Sequence, residues 1–554
     1  MAGSTTGPGR FIGPVIAAVI FLGGGVALFF YPASPWLWLL TLVALALLAQ
    51  GLRDLLQHRH TLLRNYPLLA HFRWFFEFLR PFLRQYIVEN DREGRPYNRD
   101  MSSLIYERAK DQVDAKPFGS DLDAYDNEFQ VVTHSMAPRP KPDSDFRVRV
   151  GADTCARPVD VSLLNVSAMS FGSLSGPAVE ALNLGARRGG FYQDTGEGGI
   201  SPYHVRHGGD LVWEIGSGYF GCRDRDGYFD RGLFREQANR DSVRMIEIKL
   251  SQGAKPGHGG LLPAAKITEE IARTRKIPVA QDCLSPAYHT AFSTPRELLE
   301  FAASLRADSG GKPVGIKLCV GHPWEVFALC KAMLDSGIRL DFIVVDGAEG
   351  GTGATPEEFS DHVGMPLREG LLLVRNALVG TGLRPDIRLA ASGKVYSAYT
   401  MAANLALGAD WCNAARAFML SLGCVQTKSC HNDLCPTGVA TQNPNRQRGL
   451  VIADKAPRVA NFQRHTLDHL ADLVAAAGLD HPAELLPHHL LHRRSATELI
   501  GLDKMYPFLR SGELLEDPAA TPYQEWWNAA DPDSFKPRGL VGPGHHRSAR
   551  VTPG

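Results

Sequence analysis

An excess of either charge is missing: lysine plus arginine number 59, and aspartate plus glutamate also 59, over 554 residues. A chain built to hold nucleic acid carries a basic surplus, so that class is set aside. A cysteine framework is lacking too. Of nine cysteines, six (Cys155, Cys222, Cys283, Cys319, Cys330, Cys412) follow no regular spacing. That argues against a disulfide scaffold and for a reducing compartment. No G-x-x-x-x-G-K-S/T occurs, so no P-loop is present. Finally, no charged residue occurs between Phe11 and Leu52.

This last absence has a consequence for location. Phe11 to Tyr31 and Trp36 to Gly51 are apolar runs split by Pro32-Ala33-Ser34-Pro35. The first is long enough to cross a bilayer, and the second gains a little from its flanks. A cleaved signal peptide fits poorly, because the first run is too long and a second follows; a buried core hairpin is the other alternative. We expect a two-helix transmembrane hairpin. Arg10 precedes it and Arg53, Arg59 and Arg64 follow it, which puts both ends in the cytoplasm. The expected location is the inner (cytoplasmic) membrane, multi-pass, with the bulk of the chain inside. Leu62 to Ile87 then interleaves Arg73, Arg80 and Arg84 with Phe72, Trp74, Phe75, Phe76, Phe78, Phe82 and Tyr86. This reads equally as a helix lying on the anionic inner leaflet or as one packed on the next domain.

From Val159 onward, short β-rich runs alternate with helical spacing. Strands are expected at Leu163–Met169, Phe191–Thr195, Met245–Leu250, Pro278–Cys283, Val314–Cys319, Phe342–Val345, Ile387–Ala391 and Trp411–Ala414. Helices are expected between them, as at Leu262–Arg275 and Arg368–Val379. Eight such β/α units over about 250 residues predict a TIM (β/α)8 barrel, an α/β fold, rather than a doubly wound sheet.

In such a barrel the chemistry sits at the C-terminal ends of the strands. Those ends read Ser170-Phe171-Gly172, Gly196-Glu197-Gly198-Gly199, Ser251 to Gly260, Gln281-Asp282, Lys317, Gly350-Gly351-Thr352-Gly353, Ser392-Gly393-Lys394 and Asn413 to Arg416. Recurrent glycine lets backbone N–H groups approach a phosphate or a flat ring. Gly393 and Arg416 follow strands seven and eight, where barrels grip phosphate. Lys317, a cation near the end of a buried strand, suits the edge of an anionic reduced flavin. FMN is the cofactor these features predict.

After the eighth strand, GCVQTKSCHNDLCPTG holds Cys424, Cys430 and Cys435 on a polar loop ending in proline and glycine. Three thiolates so spaced fit a [3Fe-4S] cluster, a Cys3His zinc site completed by His431, or an incidental grouping.

The motifs SAMSFGSLSGPA, DTGEGGISPYH, IKLSQGAKPGHGGLLP, VDGAEGGTGATP and GCVQTKSCHNDLCPTGVATQNP, in that order, resemble the FMN-binding synthase domain of glutamate synthase over roughly Leu163 to Asn445. The membrane hairpin and RNYPLLAHFRWFFEFLRP resemble a smaller branch of that family. The resemblance implies FMN contacts at Met169, Ser170, Gln281, Lys317, Gly351, Gly393 and Arg416. It implies a 2-oxoglutarate region at Lys249, Gln252 and Lys255, with Glu197 near the ammonia route. It implies a [3Fe-4S] cluster on Cys424, Cys430 and Cys435. His258 departs from the pattern, standing where the larger members carry a glutamate.

The expected organisation is a hairpin over 1–60, a juxtamembrane helix and linker over 61–150, the barrel with its cluster loop over 151–480, and a helical extension with a tail over 481–554. The expected activity is reduction of an imine of 2-oxoglutarate and ammonia to glutamate. The chain begins Met1-Ala2-Gly3, without the N-terminal cysteine of an amidotransferase domain. Ammonia is therefore expected to be free or to come from a separate amidotransferase subunit, and electrons from an unidentified donor or reductase subunit. Two alternatives are a membrane-linked amino-acid or amine oxidoreductase exchanging electrons with quinone or ferredoxin, and an electron-transfer subunit without a substrate.

Overall fold

The computed structural model describes residues 11–279 and 281–539, and most of the tail PRGLVGPGHHRSARVTPG lies outside that range. The chain divides into two compact units, residues 1–100 and 101–554, where the sequence suggested boundaries near 60 and 150.

In the first unit, α1 (Ile12–Phe30) and α2 (Pro35–Leu56) run 19 and 22 residues, about 28 and 33 Å at the α-helical rise. They pack on each other where Gly24 meets Thr41 so closely that a Cβ would lie 2.3 Å from its Oγ1. Their outer faces leave Leu22, Val26, Phe29 and Trp36 exposed. Asp54, near the end of α2, is buried and anchors the next segment of chain. It accepts from Gln50 Nε2 at 2.9 Å and the Leu68 amide at 3.0 Å, and meets His71 Nε2 at 2.9 Å. The aromatic stretch begins there as α3 (His71–Leu83) and ends in a π-helical turn, Arg84–Val88.

The second unit is built on a closed barrel of eight parallel strands. These are β1 (Leu164–Val166), β2 (Gln193–Asp194), β3 (Leu211–Ile215), β4 (Val243–Lys249), β5 (Val314–Leu318), β6 (Phe342–Asp346), β7 (Arg388–Ser392) and β8 (Trp411–Ala414). Each pairs with its neighbour in sequence, and β8 closes on β1 through Cys412 opposite Leu164. Strands covered by helices outside and side chains inside need apolar residues on both faces, hence runs such as Phe342-Ile343-Val344-Val345.

The expected strand Pro278–Cys283 is not a barrel member. Its last residue begins a two-residue strand, Cys283–Leu284, pairing with Leu261–Leu262 in the long β4–β5 connection. The true third strand is Leu211–Ile215. The helix expected over Leu262–Arg275 shrinks to Glu269–Arg275, capped by Thr268. The C-terminal extension is not purely helical either: Leu490–Ser495 and Glu498–Gly501 form a hairpin that pairs with Gln130–Val132.

Two long helices hold the barrel wall next to the cysteine loop. They are α4 (Gly176–Gly189), after β1, and α5 (Ile452–Ala476). Their axes come together at Gly185, where a Cβ would sit 2.5 Å from Val459 Cβ and 2.7 Å from the Ala456 carbonyl. Gly185→Ala is therefore expected to lower stability by about 1–3 kcal/mol through overpacking. A fall of several degrees in the thermal midpoint is the expected reading, and an unchanged midpoint would show that the helices can part without loss.

Candidate active site

The barrel lumen carries charge. Period-two alternation brings Glu247 and Lys249 of β4 onto one row, with Glu214 of β3 opposite Glu247 and Lys317 of β5 opposite Lys249. Asp194 of β2 joins them, and carboxylate oxygens of Asp194, Glu214 and Glu247 lie within 4.8 Å of one another. Lys317, 3% exposed, donates from Nζ to Glu214 and lies 3.6 Å from Glu247. Burial works against its charge, but Glu214, Glu247 and Asp194 overcome that and hold it protonated. Burial and then the Glu214 charge push Asp194 up to about 7. Glu247 is raised well above the usual range by burial and by the Asp194 charge.

Lys249 connects this layer to the mouth. Its Nζ lies 4.0 Å from Glu214 Oε1, 3.1 Å from Glu197 Oε2 and 3.2 Å from Gln252 Oε1. Gln252 in turn donates to the Gly351 carbonyl at 2.7 Å, joining the loops after β4 and β6. The same two loops touch at Gly253, whose amide bonds Asp346 Oδ2 at 2.7 Å. A Cβ there would fall 1.8 Å from the Gly347 carbonyl oxygen, so only glycine fits. Glu197, Lys255 and Arg275 line a cavity of about 40 Å³ together with Gly260 and Ser285. Burial opposes ionisation of Glu197, yet Lys249, Lys255 and Arg275 hold its carboxyl down at about 2. Burial draws Lys255 below its ordinary value. Three basic groups thus surround one carboxylate, an arrangement that favours an added anion.

Around this centre stand the remaining strand-end residues. Met169 and Ser170 press on the turn after β2: a Cβ on Gly196 would lie 2.6 Å from the Ser170 amide nitrogen. Arg275 donates to the Phe171 carbonyl at 3.0 Å and to Ser170 Oγ at 3.4 Å. Arg416 crosses Gly351, with Cδ 2.8 Å from where a Cβ would be, and donates to the Glu349 carbonyl at 2.6 Å. Gly393 and Lys394 have φ of 153° and 47°, a left-handed turn at the end of β7. Gly393, Lys394 and Arg416 form a donor set suited to phosphate.

The cysteine loop is fastened to the same rim. Lys266, buried, donates from Nζ to the carbonyls of Ser173 (3.1 Å), Cys430 (3.2 Å) and Ala440 (3.4 Å). Tyr106 donates to the Cys424 carbonyl at 2.5 Å, and Gln426 to Ser102 Oγ at 3.1 Å. Gln426, Lys428 and Asp433 hold positive φ without being glycine, a strain kept by these ties. Burial pushes the Cys424 thiol up to about 12, with Cys430 and Cys435 close enough to add to the shift. The three thiols are neighbours, yet with His431 they form no group tight enough for a single ion among the described residues.

A family model described as the conserved region in glutamate synthase matches residues 117–480. The chain belongs to the glutamate synthase family. It is 36% identical over 532 residues to the glutamate synthase large subunit-like protein YerD of Bacillus subtilis, covering 89% of this chain and 98% of that protein. The archaeal glutamate synthase (NADPH) of Methanocaldococcus jannaschii is 35% identical over 316 residues, or 57% of this chain and 59% of that enzyme. The glutamate synthase (NADPH) large chain of B. subtilis is 31% identical over 326 residues, only 20% of its own length. Members of this family are oxidoreductases acting on CH–NH2 donors.

For this glutamate synthase-family chain, the structure brings Lys249, Gln252, Lys255 and Glu197 into one cluster, with Met169, Ser170, Gly351, Gly393 and Arg416 around it. Gln281 does not join them: its segment is no barrel strand, and its side chain is exposed on the β4–β5 excursion. Lys317 is held from within the barrel by Glu214 and Glu247. His258 lies out at the surface, edge-on to Phe359 at 5.0 Å between ring centroids. Asp194, Glu214, Glu247, Arg275 and Lys266 were not anticipated. A usable signal existed in LVWEI and MIEIK, where a lone glutamate interrupts an apolar strand.

Glu197 yields a pH prediction. Its carboxyl titrates lower in the folded chain than in the unfolded one, so its contribution is complete above about pH 4.5 and fades as pH falls toward 2. Glu197→Gln should therefore cost roughly 2–3 kcal/mol near pH 7 and much less at pH 3. Urea midpoints at the two pH values measure this; an equal cost at both would place Glu197 outside the basic cluster.

Proposed function

We propose that the barrel is an FMN- and iron–sulfur-dependent, glutamate synthase-like enzyme that reduces the imine of 2-oxoglutarate and ammonia to glutamate. The observation that carries this reading is the convergence of Lys249, Lys255 and Arg275 beside Gln252 and Glu197 at the barrel mouth. A dicarboxylate needs cations held at fixed separations, and here two come from β4 and its loop and one from the following short helix. Lys249 and Lys255 bind the carboxylates in this scheme, and Gln252, fixed by the Gly351 carbonyl, orients the carbon that is reduced. Glu197 stays ionised and favours the cationic iminium group over the uncharged carbonyl of the oxo acid. Bound FMN supplies hydride transfer and a [3Fe-4S] cluster supplies single electrons.

Gly393, Lys394 and Arg416 would hold the FMN phosphate, with Met169 and Ser170 on the ring side. Cys424, Cys430 and Cys435 would hold the cluster, and Lys266 joins their loop to the substrate rim. The clustered basic groups speak against an electron-transfer subunit lacking a substrate, which has no use for them.

We also place the chain in the cytoplasmic membrane. Both apolar helices have spanning length and exposed apolar outer faces, and Arg53, Arg59 and Arg64 follow them.

Protein purified without oxygen should contain one FMN and about three irons and give the low-temperature EPR signal of an oxidised [3Fe-4S] centre. Dithionite-reduced protein should regain its oxidised flavin spectrum on adding 2-oxoglutarate with ammonium, and not with either alone. Cys430→Ser should lose iron while keeping flavin. Stoichiometric zinc without iron overturns the cluster, and no reoxidation by the substrate pair overturns the reaction.

A further inference from the structure

The aromatic helix of the first unit has no role in that chemistry. Phe72, Phe75, Phe76, Leu79, Phe82, Leu83 and Tyr86 fall on one side of it at helical spacing, while Arg73, Glu77, Arg80 and Arg84 fall on the other. No residue from His71 to Val88 is buried, and Phe76 and Phe78 are 59% and 68% exposed. A water-facing helix does not sustain so large an apolar strip without a partner.

The helix is not a loose tail. The Asp54 carboxylate receives the Leu68 amide and His71, which fixes the start of α3 to the end of α2. The end of α2 is where the hairpin would leave the bilayer, so α3 begins at the depth of the lipid headgroups. Between residues 57 and 88 stand five arginines and one glutamate, a charge that suits an anionic surface.

Along α3 and its π-helical turn runs a groove of about 620 Å³ whose apolar wall is Phe76, Leu83 and Val88 and whose polar wall is Arg73, Arg80 and Arg84 with Glu77, Glu89 and Glu93. Arg73 is held by Glu77 and Arg84 by Glu89, each at 2.8 Å. Arg80 has no acidic partner among the described residues.

We propose that α3 and its turn lie in the membrane surface and that the Arg80 groove seats the phosphate of an anionic phospholipid, with acyl chain against Phe76 and Leu83. Guanidinium pairs well with a phosphodiester, and the aromatic face fits the interfacial zone. This rests on the membrane reading of α1 and α2.

The test uses the full-length protein in lipid nanodiscs, either all phosphatidylcholine or one-third phosphatidylglycerol, with amide hydrogen exchange read over residues 71–88. Phosphatidylglycerol should slow exchange there at least tenfold. Arg73→Gln, Arg80→Gln and Arg84→Gln together should abolish that difference, and Arg80→Gln alone should reduce it roughly fivefold. Equal exchange in the two lipids overturns the proposal. So does equal protection in neutral detergent, where a protein face would be the cover, or protection from inorganic phosphate alone in phosphatidylcholine discs. Carbonate washing of membranes tests the hairpin separately. If it releases the wild-type chain, the hairpin reading fails, and sedimentation with phosphatidylglycerol vesicles then decides whether α3 binds acidic lipid.

Discussion

A lysine inside a barrel is the constraint on which the rest of this structure depends. Lys317 sits at 3% exposure, where an unpaired ammonium would cost several kcal/mol. Three carboxylates from β2, β3 and β4 answer it, and they exceed its charge. The surplus is eased in two ways: burial and mutual repulsion push Asp194 and Glu247 toward their neutral forms, and Lys249 approaches Glu214 from above. The lumen is thus a polar, charged layer where most barrels stack Val, Ile and Leu.

That layer fixes the mouth. Lys249 cannot satisfy Glu214 without also meeting Glu197, which then gathers Lys255 and Arg275. Arg275 reaches back to the loop after β1, which Lys266 ties to the cysteine loop. Charged groups within electrostatic reach of one another therefore extend from the barrel centre to Arg275, whose hydrogen bond to the Phe171 carbonyl lies in the loop that Lys266 ties to Cys430. Changes at Glu214 or Lys317 should be felt at the substrate rim, although neither side chain reaches it.

Much of this was legible in the sequence, because it is written in local pattern. The glycine-rich strand ends and seven of the eight barrel strands follow from short apolar runs bounded by turn residues. Leu211–Ile215 was missed because Glu214 and a flanking Gly-Gly-Asp made it read as loop, and only its buried partners explain a glutamate there. Pro278–Cys283 was mistaken for a strand because a short apolar run has too few residues for periodicity to decide. The hairpin at Leu490–Gly501 stayed hidden because its pairing partner, Gln130–Val132, lies some 360 residues away. Pairings across such separations, like the ion pairs of the lumen, are chosen by the closed fold and leave little trace in local spacing.

The central claim is that the Lys317–Glu214 pair is one buried unit supporting the site. A double-mutant cycle over Lys317→Met, Glu214→Gln and both together, read by denaturant midpoint and by affinity for 2-oxoglutarate, tests it most directly. Lys317→Met strands the buried carboxylates and Glu214→Gln leaves Lys317 only its longer contact to Glu247, so each should cost about 3–5 kcal/mol, while the double variant should recover much of that loss. Additive losses in stability, or single variants that bind 2-oxoglutarate as tightly as the parent protein, would contradict the account.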